Sequence, residues 1–330
     1  MTTLPPRRIP ALDRDVSALG FGCMGISWAY VRPEDRDDEA GRAILRHALD
    51  AGLTLFDTAD AYGAGHNELL CGQALAGRDD VVVATKGGLV GSFIDGQYHL
   101  VRDGRPEHLR QACDESLHRL RRDAIDLYYL HRVDSTVPLE ESWGALAELV
   151  TAGKVRALGL SEVTVEQARQ AHALHPVAAV QSELSLWTRD PLGQGVTADG
   201  EPAGDLVSWA REAGAVFVPF SPLGRGFLTG ALGPLPEGDF RARHPRFQDE
   251  AVSANQAIVD VVRAVATRHD APPAAVALAW VLAQGEHVIP IPGTTKPQHL
   301  DANVAAASLR LTPADLAELD GAPAPVGDRY

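Results

Sequence analysis

Short apolar runs alternate with amphipathic helical stretches along almost the whole chain, and that alternation dictates the fold class. The runs SALGFG, LTLFDT, VVVATK, IDLYYLH, VRALGLS, AAVQS, AVFVPFS and HVIPI read as strands that are apolar on both faces. Such strands belong to a parallel sheet covered by helices. Between them, DDEAGRAILRHALDAG carries Ala40, Ile44, Ala48 and Ala51 at helical spacing and ends at the stop signal Gly52. Pro106 suits the first turn of a helix striped by Leu109, Ala112, Cys113, Ser116, Leu117 and Leu120. Pro138 opens another helix, with Leu139, Trp143, Leu146 and Val150 ahead of Gly153. Thr164 and Gln167 form a capping box for the next.

Eight strand–helix units favour a closed (β/α)8 TIM barrel of class α/β over an open sheet. No linker, repeat or low-complexity block divides the chain, so residues 1–330 are expected to form a single domain. Three stretches break the rhythm, at 88–104, 187–204 and 224–252, and read as long irregular loops after strands. They fall on the carboxyl-end face, where barrels gather their active-site residues.

The formal net charge of −14 argues against phosphate-backbone binding, so no nucleic-acid partner is expected. Cys23, Cys71 and Cys113 include no CxxC pair and fit a reducing compartment. The start MTTLPPRRIP lacks the apolar stretch of a secretory signal. No apolar run approaches the roughly 20 residues that span a bilayer. These readings predict a cytoplasmic protein with no membrane partner.

Polar residues at the strand ends suggest the chemistry. Asp57 ends the second strand, Tyr62 lies in the turn after it, Lys86 ends the third and His131 ends the fourth. Each alone has an ordinary structural reading as a turn, surface or packing residue. Together, on consecutive strands of a barrel, they converge on one mouth. A carbonyl receiving hydride needs a proton on its oxygen, and a tyrosine can supply it. A lysine ammonium beside the phenol is expected to pull its pKa down from about 10. A carboxylate would hold that lysine in place, and a histidine could orient the substrate oxygen.

The segments GFGCMGIS, LFDTADAYGAGHNELLCGQAL, VVVATK, DLYYLHRVD, GKVRALGLSE, QSELSLWTRD, PFSPLGRGFLTG and IPGTTK resemble the aldo-keto reductases over nearly the whole length. SLWTRD and SPLGRGFLTG are most similar to a bacterial and fungal branch whose members reduce pyridoxal, other aldehydes or ketones. By this resemblance Asp57, Tyr62, Lys86 and His131 match the catalytic tetrad of an NADPH-dependent carbonyl reductase acting on small molecules. The resemblance also leaves open the reverse reaction, an NAD(P)-dependent sugar or alcohol dehydrogenase. A regulatory channel subunit is the reading of another class. Neither physiological direction nor oligomeric state is written in these motifs.

Barrels often bind phosphate after strands seven and eight. SPLGRG places Ser221, Leu223, Arg225 and Gly226 there, with Arg225 placed to reach a pyrophosphate. GTTK places Gly293, Thr294, Thr295 and Lys296 ahead of the first-turn residue Pro297. The resemblance puts Lys296 at the 2′-phosphate of NADPH, Ser161 and Gln181 at the nicotinamide carboxamide, and Phe220 against its ring. Asn303 matches an adenine contact. Two places depart from the family pattern: Glu162 follows Ser161 where Asn is usual, and His299 replaces an Arg in the adenosine grip. NADH therefore stays open beside NADPH. GFGCMG has the form G-x-G-x-x-G, but SWAYVRPEDRD follows instead of a helix, so it reads as a strand and loop with Gly22 and Met24 beside the nicotinamide. Trp28, Tyr30, Phe93 and Trp187 sit in or beside the mouth loops as candidate substrate walls. No GxSxG, HExxH or paired CxxC motif points to a hydrolase or a metal site.

Overall fold

The computed structural model describes residues 4–30, 32–94, 97–197, 199–235 and 239–329. An antiparallel hairpin opens the chain, β1 (Pro6–Ile9) with β2 (Arg14–Ser17). Parallel strands β3 (Phe21–Gly22), β4 (Leu55–Asp57) and β5 (Val82–Gly87) follow. A second hairpin, β6 (Leu89–Ile94) with β7 (Gln97–Arg102), stands on the carboxyl end of β5. The parallel series resumes with β8 (Ile125–Leu130), β9 (Val155–Ser161), β10 (Ala179–Gln181) and β11 (Val216–Phe217).

Residues 288–292 complete the barrel as its eighth strand. The Ile289 and Ile291 amides donate to the carbonyls of Phe217 and Pro219 at 2.9 and 3.0 Å. On the other side, Gly20 and Gly22 donate to the carbonyls of Pro290 and Pro292 at 2.9 and 3.3 Å. Pro290 and Pro292 have no N–H to return, so this seam carries hydrogen bonds in one direction only. The backbones compensate by close approach. A Cβ on Gly22 would lie 2.7 Å from the Ile291 carbonyl oxygen.

Strand periodicity then decides what faces inward. Leu55, Val82, Ala84, Leu127, Tyr129, Ala157, Ala179, Val216 and Val218 form the inner cluster, and Ile9 and Val16 of the first hairpin pack with them. Phe56, Val83, Tyr128 and Leu158 face the outer cluster beneath the helices. Continuing the inner face by one more step of two reaches Asp57, Lys86, His131, Gln181 and Phe220 at the carboxyl ends, and two steps from Ala157, through Gly159, reach Ser161.

The helices are α1 (Asp38–Asp50), α2 (His66–Ala74), α3 (Pro106–Leu120), α4 (Leu139–Thr151), α5 (Val165–Leu174) and α6 (Leu206–Glu212), of which α1, α3, α4 and α5 fall on the stretches singled out in the sequence. They are followed by α7 (Asp249–Arg268), α8 (Pro273–Leu282), α9 (Pro297–Ala306) and α10 (Pro313–Asp320). Pro106 starts α3, Thr164 and Gln167 form the capping box of α5, and Pro297 starts α9. GFGCMG runs into a short 3-10 turn, Met24–Ile26, another follows at Pro33–Asp35, and α1 begins at Asp38. No described helix is long and apolar enough to cross a membrane.

One loop expectation is corrected. Residues 88–104 are mostly the β6–β7 hairpin, paired from Leu89↔Arg102 to Ile94↔Gln97, and not an irregular loop. The sequence held the signal, since Asp95-Gly96 between two apolar runs is a strong hairpin dipeptide. The other two stretches remain irregular, tied by isolated bridges Leu192↔Asp205 and Val196↔Pro202 or by short 3-10 turns before α7.

Candidate active site

The structure brings Asp57, Tyr62, Lys86 and His131 together at the barrel mouth. Lys86 is fully buried, and its ammonium has three donors. They go to Asp57 Oδ1 at 2.5 Å, the Thr58 carbonyl at 2.8 Å and the Tyr62 hydroxyl oxygen at 3.2 Å. The other Asp57 oxygen accepts from Gln181 Nε2 at 2.7 Å. Because Tyr62 accepts from Lys86, its own hydroxyl hydrogen is left for another acceptor.

Asn67 braces the Tyr62 turn from beneath. Its Nδ2 donates to the Cys23 carbonyl at 2.9 Å and to Ser27 Oγ at 2.8 Å, while its Oδ1 accepts from Thr58 Oγ1 at 2.6 Å. The turn after β4 is thereby tied to the loop after β3. His131 stands edge-on to the Tyr62 ring, with centroids 5.8 Å apart. Its backbone N–H donates to the Gly87 carbonyl at 2.8 Å, and its Nδ1 is buried without a hydrogen-bond partner among the described residues.

Burial governs the protonation states. It acts against charge on Lys86, but the Asp57 carboxylate and Tyr62 outweigh it and raise the lysine above its ordinary value. Burial also raises the Tyr62 phenol above its ordinary value, although Lys86 and Arg132 pull it down. The lysine therefore acts in the expected direction, but desolvation wins, and Tyr62 stays a protonated phenol. Burial, then the cations Arg132 and Lys86, push His131 well below its usual range, so the imidazole is neutral.

The expected cofactor positions form an arc beside this centre. Gly22 and Met24 follow β3, and Ser161, Gln181 and Phe220 continue the inner faces of their strands. Ser161 Oγ accepts from Arg132 Nη1 at 3.1 Å. Ser221, Gly224, Arg225 and Gly226 all have positive φ, at 49°, 56°, 54° and 95°. Together with Leu223 they make a sharply wound turn of the kind whose amides can face an anion. The Arg225 guanidinium is engaged with Glu183 at 2.9 Å and packs over Phe240. Across the one-way seam, Gly293 lies against the Gly22 backbone, and a Cβ there would come within 2.5 Å of the Gly22 oxygen. Thr294 caps the Lys296 amide at 3.1 Å, and Lys296, which caps α9 without a side-chain bond, is exposed beside Thr295 and His299. Asn303 is buried and shares a small cavity with Thr294 and Gly20. A wound turn, an open helix N-terminus and a lysine fit the phosphates of a dinucleotide.

Glu162, at the position where the family has Asn, turns away from the centre. It has φ of 54° and pairs with Arg329 near the chain end, and its Oε1 accepts the Glu183 amide at 3.0 Å.

The substrate candidates divide. Trp28 stacks near the Tyr62 ring at 6.1 Å, and Tyr98 joins it at 5.3 Å. Phe93 packs on Tyr98 at 4.7 Å, and Tyr30 meets Phe240 at 5.1 Å. Tyr30 and Phe93 are exposed, whereas Trp187 is buried and stacked on Phe227 at 4.2 Å, away from that open wall. Sequence reasoning missed Asn67, Tyr98 and Arg132. Asn67 and Tyr98 carried no local signal, whereas Arg132 was marked by its place next to His131 in DLYYLHRVD.

The chain belongs to the aldo/keto reductase family, whose model matches residues 18–323. It is an NAD(P)H-dependent oxidoreductase built on the (β/α)8 barrel of that family. A probable aldo-keto reductase from Glycine max is 44% identical, covering 98% of this chain and 90% of its own. The glycerol dehydrogenase structure from Gluconobacter oxydans is 32% identical with a TM-score of 0.84, covering 96% of this chain and 94% of that one. The aldo-keto reductase structure from Bacillus halodurans is 27% identical with a TM-score of 0.77, covering 99% of both chains.

Proposed function

We propose that this chain, acting as one domain, reduces an aldehyde or ketone to the alcohol with NADPH, and that Tyr62 delivers the proton. The single observation that carries this reading is the lysine ammonium with all three donors engaged, one of them on the Tyr62 oxygen. That bond leaves the phenolic hydrogen directed elsewhere and stabilises the phenolate that remains once the proton has gone. A nicotinamide held beside this centre would supply the hydride for the carbonyl carbon. Asp57 keeps Lys86 in place, and Gln181 keeps Asp57 in place. Neutral His131 offers a hydrogen bond to the substrate oxygen without competing for its proton.

Ser161, Gln181 and Phe220, with Gly22 and Met24, would hold the nicotinamide. Ser221, Leu223, Arg225 and Gly226 would hold the pyrophosphate with Gly293, Thr294 and Thr295. Lys296 would meet the 2′-phosphate, and His299 and Asn303 the adenosine. The exposed lysine at an open helix N-terminus supports NADPH over NADH. Trp28, Tyr30 and Phe93 would line the substrate, whereas Trp187 packs on Phe227 and Phe247 apart from that wall. The same groups run in reverse as alcohol oxidation, the direction in the name of the Gluconobacter enzyme.

The test is loss of NADPH absorbance across a panel of aldehydes and ketones, with wild type beside Tyr62→Phe. The variant should lose about 10²- to 10⁴-fold in turnover while binding NADPH with wild-type affinity. Equal rates in the two proteins would remove Tyr62 from the mechanism.

A further inference from the structure

Arg132 follows the catalytic-site histidine directly and turns its guanidinium toward the same centre. Its Nη1 donates to the His131 carbonyl at 2.7 Å and to Ser161 Oγ at 3.1 Å. Both acceptors are neutral. Among the described residues no carboxylate lies within ion-pair distance of Arg132, and its Nη2 and Nε make no hydrogen bond and are not sealed from solvent.

Four other arginines on this face are neutralised by the chain itself. Arg102 pairs with Asp199 at 2.5 Å, Arg225 with Glu183 at 2.9 Å, Arg241 with Asp239 at 2.6 Å, and Arg329 with Glu162. Arg36 over Phe93 and Arg246 on the Trp187 carbonyl also lack an ion pair among the described residues but lie away from the reacting groups. In a chain of net charge −14, an unneutralised guanidinium beside the reacting groups is a local reversal of sign. Its field reaches both Tyr62 and His131. The tethered Nη1 fixes the fork, and the Nη2–Nε edge keeps the geometry that receives a carboxylate through two parallel bonds. Trp28, stacked near the Tyr62 ring, supplies a flat apolar surface at the same mouth.

We propose that Arg132 is a specificity-determining residue that binds a carboxylate carried by the substrate, so that the preferred substrates are planar aldehydes or ketones bearing a carboxylate. The inference rests on the carbonyl-reductase reading above and names the substrate class of that site. Ser161 and His131 hold the guanidinium in place, and the substrate carboxylate supplies the charge partner that the protein does not.

The experiment compares 4-carboxybenzaldehyde with uncharged 4-nitrobenzaldehyde, using wild type, Arg132→Gln and Arg132→Lys with NADPH. The readout is the ratio of kcat/KM for the two substrates, which does not depend on how much of a variant is folded. Wild type should favour the carboxylate. Arg132→Gln should lower the ratio by about 10- to 100-fold, as expected for loss of a charge-assisted bond, and Arg132→Lys should restore part of it. In wild type, benzoate should compete with the neutral aldehyde and benzamide should not. An unchanged ratio in Arg132→Gln would overturn the proposal and assign Arg132 to positioning Ser161 or the reacting oxygen. Reduction of the neutral aldehyde by wild type with no carboxylate preference would overturn it while leaving the reductase reading intact. Turnover of neither aldehyde, nor of any other carbonyl in the panel, would remove both.

Discussion

Replacing Lys86 with Met tests whether the buried ion pair, and not merely the shape of the site, organises the mouth. Methionine keeps an unbranched chain in a fully buried position, so packing changes little. The carboxylate of Asp57 then stays buried with Gln181, at 2.7 Å, as its remaining side-chain partner. Stranding one charge of a buried pair costs about 3–5 kcal/mol. Against a total stability of about 5–15 kcal/mol the variant still folds. Adding Asp57→Asn removes the stranded charge, so the double variant should regain about 2 kcal/mol or more over the lysine variant. Activity should behave differently. Both Lys86→Met and the double variant lose the cation that stabilises the Tyr62 phenolate, and both should fall about 10²- to 10⁴-fold in turnover. Urea unfolding followed by circular dichroism measures the first effect and NADPH oxidation the second. If the two substitutions add within about 0.5 kcal/mol, the pair is not coupled and the reasoning fails.

Acid should act on stability through His131. Its folded pKa lies well below the usual value, so the unfolded chain takes up the proton first. Stability contributed by the neutral ring is full above about pH 6.5 and falls as pH drops below it, by at most about 1.4 kcal/mol per unit. Melting curves of His131→Gln should show a shallower acid slope than wild type, and equal slopes would refute this. Gly22→Ala should cost about 1–3 kcal/mol, because its Cβ meets the Ile291 backbone at the one-way seam. Gly144→Ala, in α4 with open space around it, should instead stabilise by up to about 1 kcal/mol, and urea titrations of both variants check the contrast. Lys296→Ala should weaken NADPH binding about tenfold and leave NADH nearly unchanged, as read by fluorescence titration. An equal loss for both nucleotides would place the lysine elsewhere.

Much of this protein was legible in one dimension. Strand and helix periodicity, Pro106, Pro297 and the Thr164–Gln167 box fix the element order, because each depends only on neighbours a few residues apart. Their places at the ends of consecutive strands also implied that Asp57, Lys86 and His131 would meet at one mouth of the barrel. The tertiary structure alone decided the rest. Closure of the barrel runs through amide bonds between residues 20–22 and 290–292, which no local pattern encodes. Gln181 reaches Asp57 across 124 positions of sequence. The net rise of the Tyr62 phenol comes from desolvation, a property of everything packed around the ring and not of Lys86 alone. The sequence puts Arg132 next to His131, but only the fold decides that its guanidinium meets neutral acceptors and no carboxylate among the described residues. Local order follows from backbone geometry and side-chain spacing, whereas convergence, burial and unmet charge are sums over residues that folding alone brings within a few ångströms.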